Sequence, residues 1–389
     1  MRIYLDNNAT TQVEPEVLEA MLPCFREVYG NASSVHRFGQ DAKDLVDEAR
    51  RQVAHLINAE PDEIVFTSGG TEADNLAVRG VIDSRRTRSP HIITSQIEHH
   101  AILNTCRALE KEGVKVTYLA VDSEGIVDPE GVRRAITAET ALISIMFANN
   151  EIGTIQPIRE IGKIAREHSI LFHCDAVQAA GKIGIDTRTL NVDLLSLSGH
   201  KFHAPKGVGA LYVRKGTRLS PLFRGGTQER RRRAGTENVP GIVGLGKAAE
   251  LAYSGLTQSD TILNLRAYFE SEVLNRIDRV HVNGALERRV PNTSNLRFDH
   301  VESEGLVINL DLEGIAVSTG SACSSGAIEP SHVLMALGLP IEKAFNSVRF
   351  SLSKYTTREE IDYVLTRLPG VVQRLRTLYP TRTPTVAVS

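Results

Sequence analysis

Residues 63–74 read Glu63-Ile64-Val65-Phe66-Thr67-Ser68-Gly69-Gly70-Thr71-Glu72-Ala73-Asp74. The apolar, β-branched stretch ending at Thr67 has the composition of a strand. Gly69 and Gly70 permit a tight turn, and Thr71, Glu72 and Asp74 are residues that open helices. A strand, a glycine turn and a helix start make the unit from which parallel sheets are assembled. The free N–H groups at such a helix start, together with its dipole, also form a cradle for a phosphate, to which Thr71 adds a hydroxyl donor. An ordinary capped helix after a turn explains the same residues. The phosphate reading therefore depends on the rest of the chain.

Outward from this stretch the rhythm repeats. Upstream, Ala42, Leu45, Val46, Ala49, Val53, Leu56 and Ile57 fall on one face of a helix over residues 39–57. Downstream, strands are expected at 91–95, 114–121, 141–147, 170–175, 192–198 and 209–213, with amphipathic stretches between them long enough for crossover helices. This alternation predicts an α/β core with a mostly parallel sheet. After about residue 258 the pattern changes to a long helix around Leu265, Phe269, Val273 and Ile277, then the segment 292–298 and a Gly/Ser-rich stretch. A second, smaller domain is expected there.

The 389 residues carry 45 Lys+Arg against 47 Asp+Glu, a net charge of −2, which gives no global basic field for nucleic acid or acidic lipid. Neither a nucleic-acid nor a membrane partner is expected. A hydrophobic share of 41% with 24% charged residues belongs to the globular range. No basic, apolar leader opens the chain and no run of apolar residues is long enough to span a bilayer, so a soluble, cytoplasmic protein is expected. The four cysteines, at 24, 106, 174 and 323, are too sparse and uneven for a disulfide framework or a zinc site.

In open α/β sheets ligands bind beyond the carboxyl ends of strands, and three further clusters sit there or in flexible loops. Asp175 closes the apolar run 170–175, with Gln178 just after it; a carboxylate at the tip of a buried strand needs a cation, though a helix cap also suits it. Ser198-Gly199-His200-Lys201 follows the run 192–198, and a lysine enclosed at a strand end loses proton affinity and becomes an amine able to form a Schiff base. Lysine, aspartate and phosphate cradle together are the groups that bind pyridoxal phosphate. Cys323 lies in Gly320-Ser321-Ala322-Cys323-Ser324-Ser325-Gly326, where small residues leave a thiol accessible, whereas Cys24, Cys106 and Cys174 lie in apolar patterns that suit structural thiols.

The motifs YLDNNATT (4–11), SGGTEADN (68–75), QIEHHA (96–101), DAVQ (175–178), SGHKFHAPKG (198–207), RRAGTEN (232–238) and GSACSSG (320–326), in this order, closely resemble the cysteine desulfurases of the nitrogen-fixation and iron–sulfur-cluster branch, within the class V aminotransferases. The likeness extends to VRFSLSKYTTREEID at 348–362. It implies a fold-type I α/β transferase dependent on pyridoxal 5'-phosphate. A large domain, residues 13–258, would carry a mostly parallel seven-stranded sheet. A small α+β domain would combine 1–12 with 259–389 and carry the Cys323 loop.

By the same likeness Lys201 holds the cofactor covalently and later moves a proton at the substrate Cα, Asp175 pairs with the pyridine nitrogen, and His99 stacks on the ring as acid or base. Asn150 and Gln178 contact the phenolic oxygen or line the pocket. Gly70, Thr71, Ser198 and His200 belong to the phosphate site, and Thr236 reaches the phosphate of a neighbouring subunit, which implies a homodimer. Arg349, with Asn150, holds the substrate carboxylate, a task suited to a planar bidentate donor. Cys323 as thiolate takes the sulfur of L-cysteine, releasing L-alanine, and passes it as a persulfide to an acceptor or iron–sulfur scaffold protein. A single loop cysteine is too few ligands to hold a cluster alone, so Cys323 is at most a shared metal ligand through its persulfide. A selenocysteine lyase or C–S lyase on the same fold, and a catalytically silent docking partner, are the rival readings. The chain departs from the common family pattern at Ala32 in GNASS, Thr227 in GGTQE and Lys354 in SLSK.

Overall fold

The apolar runs become strands because each is covered on both faces. The computed structural model describes residues 2–85, 89–256, 259–319 and 329–378. A short strand β1 (Ile3–Tyr4) precedes β2 (Ile64–Thr67), β3 (His91–Ser95), β4 (Lys115–Leu119), β5 (Thr140–Ser144), β6 (Leu171–Asp175), β7 (Leu194–Ser198) and β8 (Gly209–Val213). The last seven form one sheet in the order β2-β8-β7-β6-β5-β3-β4. Only β8 runs antiparallel to its neighbours; the other pairs are parallel.

Adjacent residues of one strand enter different cores. Phe66, Ile93, Phe172, Leu195 and Tyr212 pack with Val46 and Val53 of the helix Arg37–Leu56 and with Ile242 and Leu245 of the helix Val239–Gly255. Val65, Ile92, Leu142, Leu194 and Leu211 pack with Leu76 and Val81 of the helix Gly70–Ser84 and with Ile102 and Leu109 of the helix His100–Lys111. Burial on both faces is why these strands read as continuous apolar runs. Each such side chain contributes about 1.5–3 kcal/mol of burial free energy. The helices Arg37–Leu56 and Val239–Gly255 touch where Gly246 meets Ala49; a Cβ on Gly246 would lie 2.5 Å from the Ala49 Cα.

β6 and β7 start one and two residues later than the expected 170 and 192, and two other strands end before their apolar runs do. The edge strand β4 stops at Leu119, and β5 stops at Ser144. Beyond β5, Ile145 and Phe147 still donate to His173 and Asp175 carbonyls, but the chain then turns out of the sheet.

The remaining chain builds β9 (Val280–Val282), β10 (Thr293–Phe298), β11 (Ile315–Ala316) and β12 (Ser347–Ser351). The order β12-β10-β9 is antiparallel, and β11 pairs in parallel with β1. Phe269, Phe298, Phe350, Leu306 and Leu368 form a separate apolar cluster with Ile3 and Leu5, the Phe269 and Phe350 rings lying 5.0 Å apart. The β1–β11 pair and a bridge between Asp6 and Ser351 bring residues 6–9 against β12 and the turn after β7. Among the described residues no helix is long and apolar enough to cross a membrane.

Candidate active site

The carboxyl ends of β2, β3, β5, β6 and β7 open on one cavity of about 740 Å³, as expected for an α/β sheet. Its wall takes in Gly70, Thr71, His99, Asn150, Asp175, Gln178, Ser198, His200, Lys201 and Arg349. Thr236 does not line it; it is exposed on the turn beyond Gln228–Arg231. Cys323 lies outside the described residues.

At one end of the cavity the helix Gly70–Ser84 begins without a side-chain cap. Its first amides are therefore free for an anion. Gly70 is required for close approach, since a Cβ there would stand 2.8 Å from Val177 Cγ2 and 3.2 Å from Ser198 Cβ. Glu72 is turned back: it accepts from Ser68 N at 2.8 Å and from Arg233 Nε at 2.9 Å. Its charge is thus neutralised beside the cradle. His200 places Nδ1 3.1 Å from Thr10 Oγ1, and burial lowers its pKa to about 4.

On the floor, Asp175 ends β6 and its Oδ1 accepts from Val177 N at 2.9 Å. Burial raises its pKa, while the Val177 amide and Lys201 favour the charged form. Asp74, wholly enclosed behind it, is pushed far up, first by burial and then by the Asp175 charge, and so keeps its proton. His173, bonded at 2.9 Å to both Ser144 Oγ and Ser196 Oγ, is held down to about 3 by burial and is neutral. Asp175 is left as the anion that seeks a cation. A protonated ring nitrogen supplies one.

Lys201 sits in the turn Gly199–Lys201 and donates from Nζ to the Asn8 and Ala9 carbonyls at 2.6 and 2.8 Å. Burial, then Arg349, lowers its pKa to about 8, against the opposing pull of Asp6 and Asp175. The protonated lysine is unreactive and the amine forms above that value. The rate at which the cofactor-free protein captures pyridoxal phosphate, followed by stopped-flow absorbance, should rise with pH through about 8 and then level. A rise continuing towards the ordinary lysine value would contradict this.

His99 caps the helix His100–Lys111 by accepting from Ala101 N at Nδ1, 3.1 Å away. The proton of the neutral ring therefore lies on Nε2. Burial, then Lys201, brings its pKa to about 4, so the ring in the cavity is uncharged at neutral pH. Arg349, buried on β12, gives Nη1 to the Asn150 carbonyl at 2.9 Å and Nη2 to Asp6 Oδ1 at 2.7 Å. Its buried Nε has no partner among the described residues and remains available to an anion.

Two residues of the site were quoted in YLDNNATT without a role. Asp6 anchors Arg349. Asn8 is a junction: its carbonyl accepts from Lys201 and from Gln178 Nε2, and its Nδ2 donates to the Asn150 carbonyl and Thr293 Oγ1. Their only signal in sequence is a polar pair directly after an apolar one. Of the departures, Lys354 pairs with Glu14 and lies 5.4 Å from the Tyr355 ring centroid.

Cys24, Cys106 and Cys174 are free and buried, as their apolar settings suggest. Burial pushes the Cys106 thiol to about 12 and the Cys174 thiol well above its usual range. None of them offers a thiolate. Among the described residues no group of three His, Cys, Asp or Glu side chains is placed to hold a metal ion.

A mostly parallel sheet whose strand ends carry a phosphate cradle, an anionic aspartate and an enclosed lysine is the apparatus of a pyridoxal-phosphate enzyme. Residues 3–364 match the aminotransferase class-V family. A cysteine desulfurase IscS from Dictyoglomus turgidum is 53% identical over 379 residues, 97% of this chain and 96% of that protein. A solved NifS-like protein superposes with a TM-score of 0.91 at 41% identity, covering 96% of this chain and 100% of its own. A structure of SspA in complex with cysteine gives 0.82 at 38%, covering 92% and 100%. The chain belongs to the aminotransferase class-V family and, within it, to the cysteine desulfurases.

Proposed function

We propose that the protein is a pyridoxal-phosphate-dependent cysteine desulfurase that turns L-cysteine into L-alanine and collects the sulfur as a persulfide on Cys323. The observation that carries this reading is the convergence of Lys201, Asp175, His99 and Arg349 on one cavity whose rim includes Ser318, shortly before Cys323 in the chain. On the far side of that segment, the His332 ring lies 4.8 Å from His100, next to His99.

The cofactor, when bound, supplies an electron-withdrawing ring that stabilises negative charge at the substrate carbon. The chain's own groups do the rest. The helix start at Gly70, with Thr71, Ser198 and His200, would hold the phosphate, and Asp175 would keep the ring nitrogen protonated. Gln178 and Asn150 line the cavity beside the ring. Arg349 takes the substrate carboxylate. Lys201 Nζ, as an amine, would remove the proton from the substrate Cα and return it, and His99 Nε2–H would offer a second donor in the cavity. The Cys323 thiolate attacks the substrate sulfur; the S–S bond forms as the carbon–sulfur bond breaks, and the electron pair left on carbon takes a proton to give alanine.

The persulfide sulfur then goes to an acceptor or iron–sulfur scaffold protein. Residues 13–258 form a large domain and residues 1–12 with 259–389 a small one, a division supported by their separate apolar clusters. The working form is a cytoplasmic homodimer in which Thr236 serves the neighbouring site. Thr236 lies outside its own cavity, and Tyr29 (68% exposed), Val35 (90%) and Phe38 form an uncovered apolar patch, the Tyr29 and Phe38 rings 5.7 Å apart. The test is to supply the purified protein with pyridoxal phosphate and L-cysteine and to measure alanine. Alanine release with a visible cofactor band is expected; absence of both contradicts the reading.

A further inference from the structure

Lys182 is half-buried beside the cavity and no step above uses it. Its Nζ donates to Gln178 Oε1 at 2.5 Å and to Asn8 Oδ1 at 3.1 Å. Among the described residues it forms no ion pair. Desolvation lowers its pKa first, and the charges of Lys201 and Arg349, which share its sign, lower it further. Glu14, which lines a second cavity together with Lys182, is paired with Lys354. Even half-buried, an ammonium without a counter-ion carries a desolvation cost. Its contribution to the site is therefore sought in the two amides it holds.

Both amides turn their oxygens to this amine, the arrangement an ammonium demands because it has N–H donors and no acceptor. Gln178 then points Nε2 away, giving one N–H to the Asn8 carbonyl at 3.0 Å, while its side chain remains part of the cofactor cavity wall. Asn8, its Oδ1 held also by Asn292 Nδ2 at 3.1 Å, directs Nδ2 to the Asn150 carbonyl at 3.1 Å. Lys182 faces the oxygens of both amides, with Asn292 sharing the hold on Asn8, and both amides touch groups of the site.

We propose that Lys182 is a positioning residue: by holding Gln178 Oε1 it obliges that amide to present N–H rather than carbonyl to the cavity, where a donor favours the ionised oxygen of the bound ring. The inference rests on the pyridoxal-phosphate reading above. Its test uses the full-length protein loaded with pyridoxal phosphate, without substrate, as the unaltered form, Lys182→Met, Gln178→Met and the double variant. The quantities read are the ratio of the two absorbing protonation forms of the bound cofactor at one fixed pH, the cofactor dissociation constant and Tm. Lys182→Met should move the ratio roughly tenfold towards the protonated form, as the loss of one hydrogen bond to a charged group implies, and weaken cofactor binding. The same substitution should have no further effect on the ratio when Gln178 is already Met.

A lowered Tm with an unchanged ratio would make Lys182 merely structural and overturn the proposal. An equal shift in the Gln178→Met background would overturn it too, because the lysine charge would then act without the amide. If Lys182→Met does not fold, Gln178→Glu serves: the carboxylate still accepts from Lys182 but has no N–H to offer, so the ratio should move in the same direction, and an unmoved ratio rejects the idea. An unaltered protein with no cofactor band would overturn the underlying reading, and this inference with it.

Discussion

Lys201→Ala is expected to remove the visible absorption of lysine-bound cofactor and to lower alanine formation by roughly 10³-fold or more, the scale of a lost nucleophile and general base together. The cavity wall holds two lysines, Lys201 and Lys206. Lys206 is exposed. Lys201 is enclosed, with its amine held by two backbone carbonyls, and its pKa of about 8 makes the free amine accessible near neutral pH. The variant should fold, because Nζ bonds only to carbonyls at the end of a turn. Ultraviolet–visible spectra and an alanine assay check it. A Lys201→Ala protein that kept both band and turnover would move the role to Lys206.

Asp175→Asn should retain the cofactor through the phosphate cradle yet lose about 10²–10³-fold in turnover, the size seen when one preorganised electrostatic contact to developing charge is removed. The amide cannot balance a protonated ring nitrogen, so the ring becomes a weaker electron acceptor. Asp74→Asn is the informative control: Asp74 already carries its proton, and asparagine matches a neutral acid in shape and charge. Its effect on turnover should be far smaller. Comparable losses at the two positions would mean that the negative charge is shared rather than resident on Asp175.

Much of this arrangement is legible in the sequence, for a physical reason. Strands covered on both faces must be continuously apolar, so the runs ending at Thr67, Asp175 and Ser198 announce both the sheet and the polar residues beyond its edge. Asp175 and Lys201 are each visible as a charge at the end of such a run. Asp6 and Asn8 are not, because their place depends on β1 pairing with β11 and on a bridge from Asp6 to Ser351, contacts between distant parts of the chain. Lys182 is hidden for a different reason. It lies close beyond Gln178 in a stretch that reads as an ordinary turn, and only the fold shows that its amine is enclosed against two amides. In sequence Asp74 reads only as a helix opener and Glu98 only as part of a motif; burial pushes Glu98 to about 8 and raises Asp74 strongly, so both stay neutral and the negative charge rests on Asp175. β5 ends at Ser144 although Ile145 and Phe147 still donate to the His173 and Asp175 carbonyls, because the chain there begins to turn towards the site.

The most direct measurement is intact-protein and peptide mass spectrometry of the cofactor-loaded enzyme after brief incubation with L-cysteine, beside a Cys323→Ser variant that keeps its cofactor band. The mechanism proposed here predicts alanine release with a mass gain of one sulfur atom on the peptide containing Cys323, and no such gain in the variant. Sulfur bound to Cys24, Cys106 or Cys174 instead, or an unaltered yield of transferred sulfur in Cys323→Ser, would contradict it.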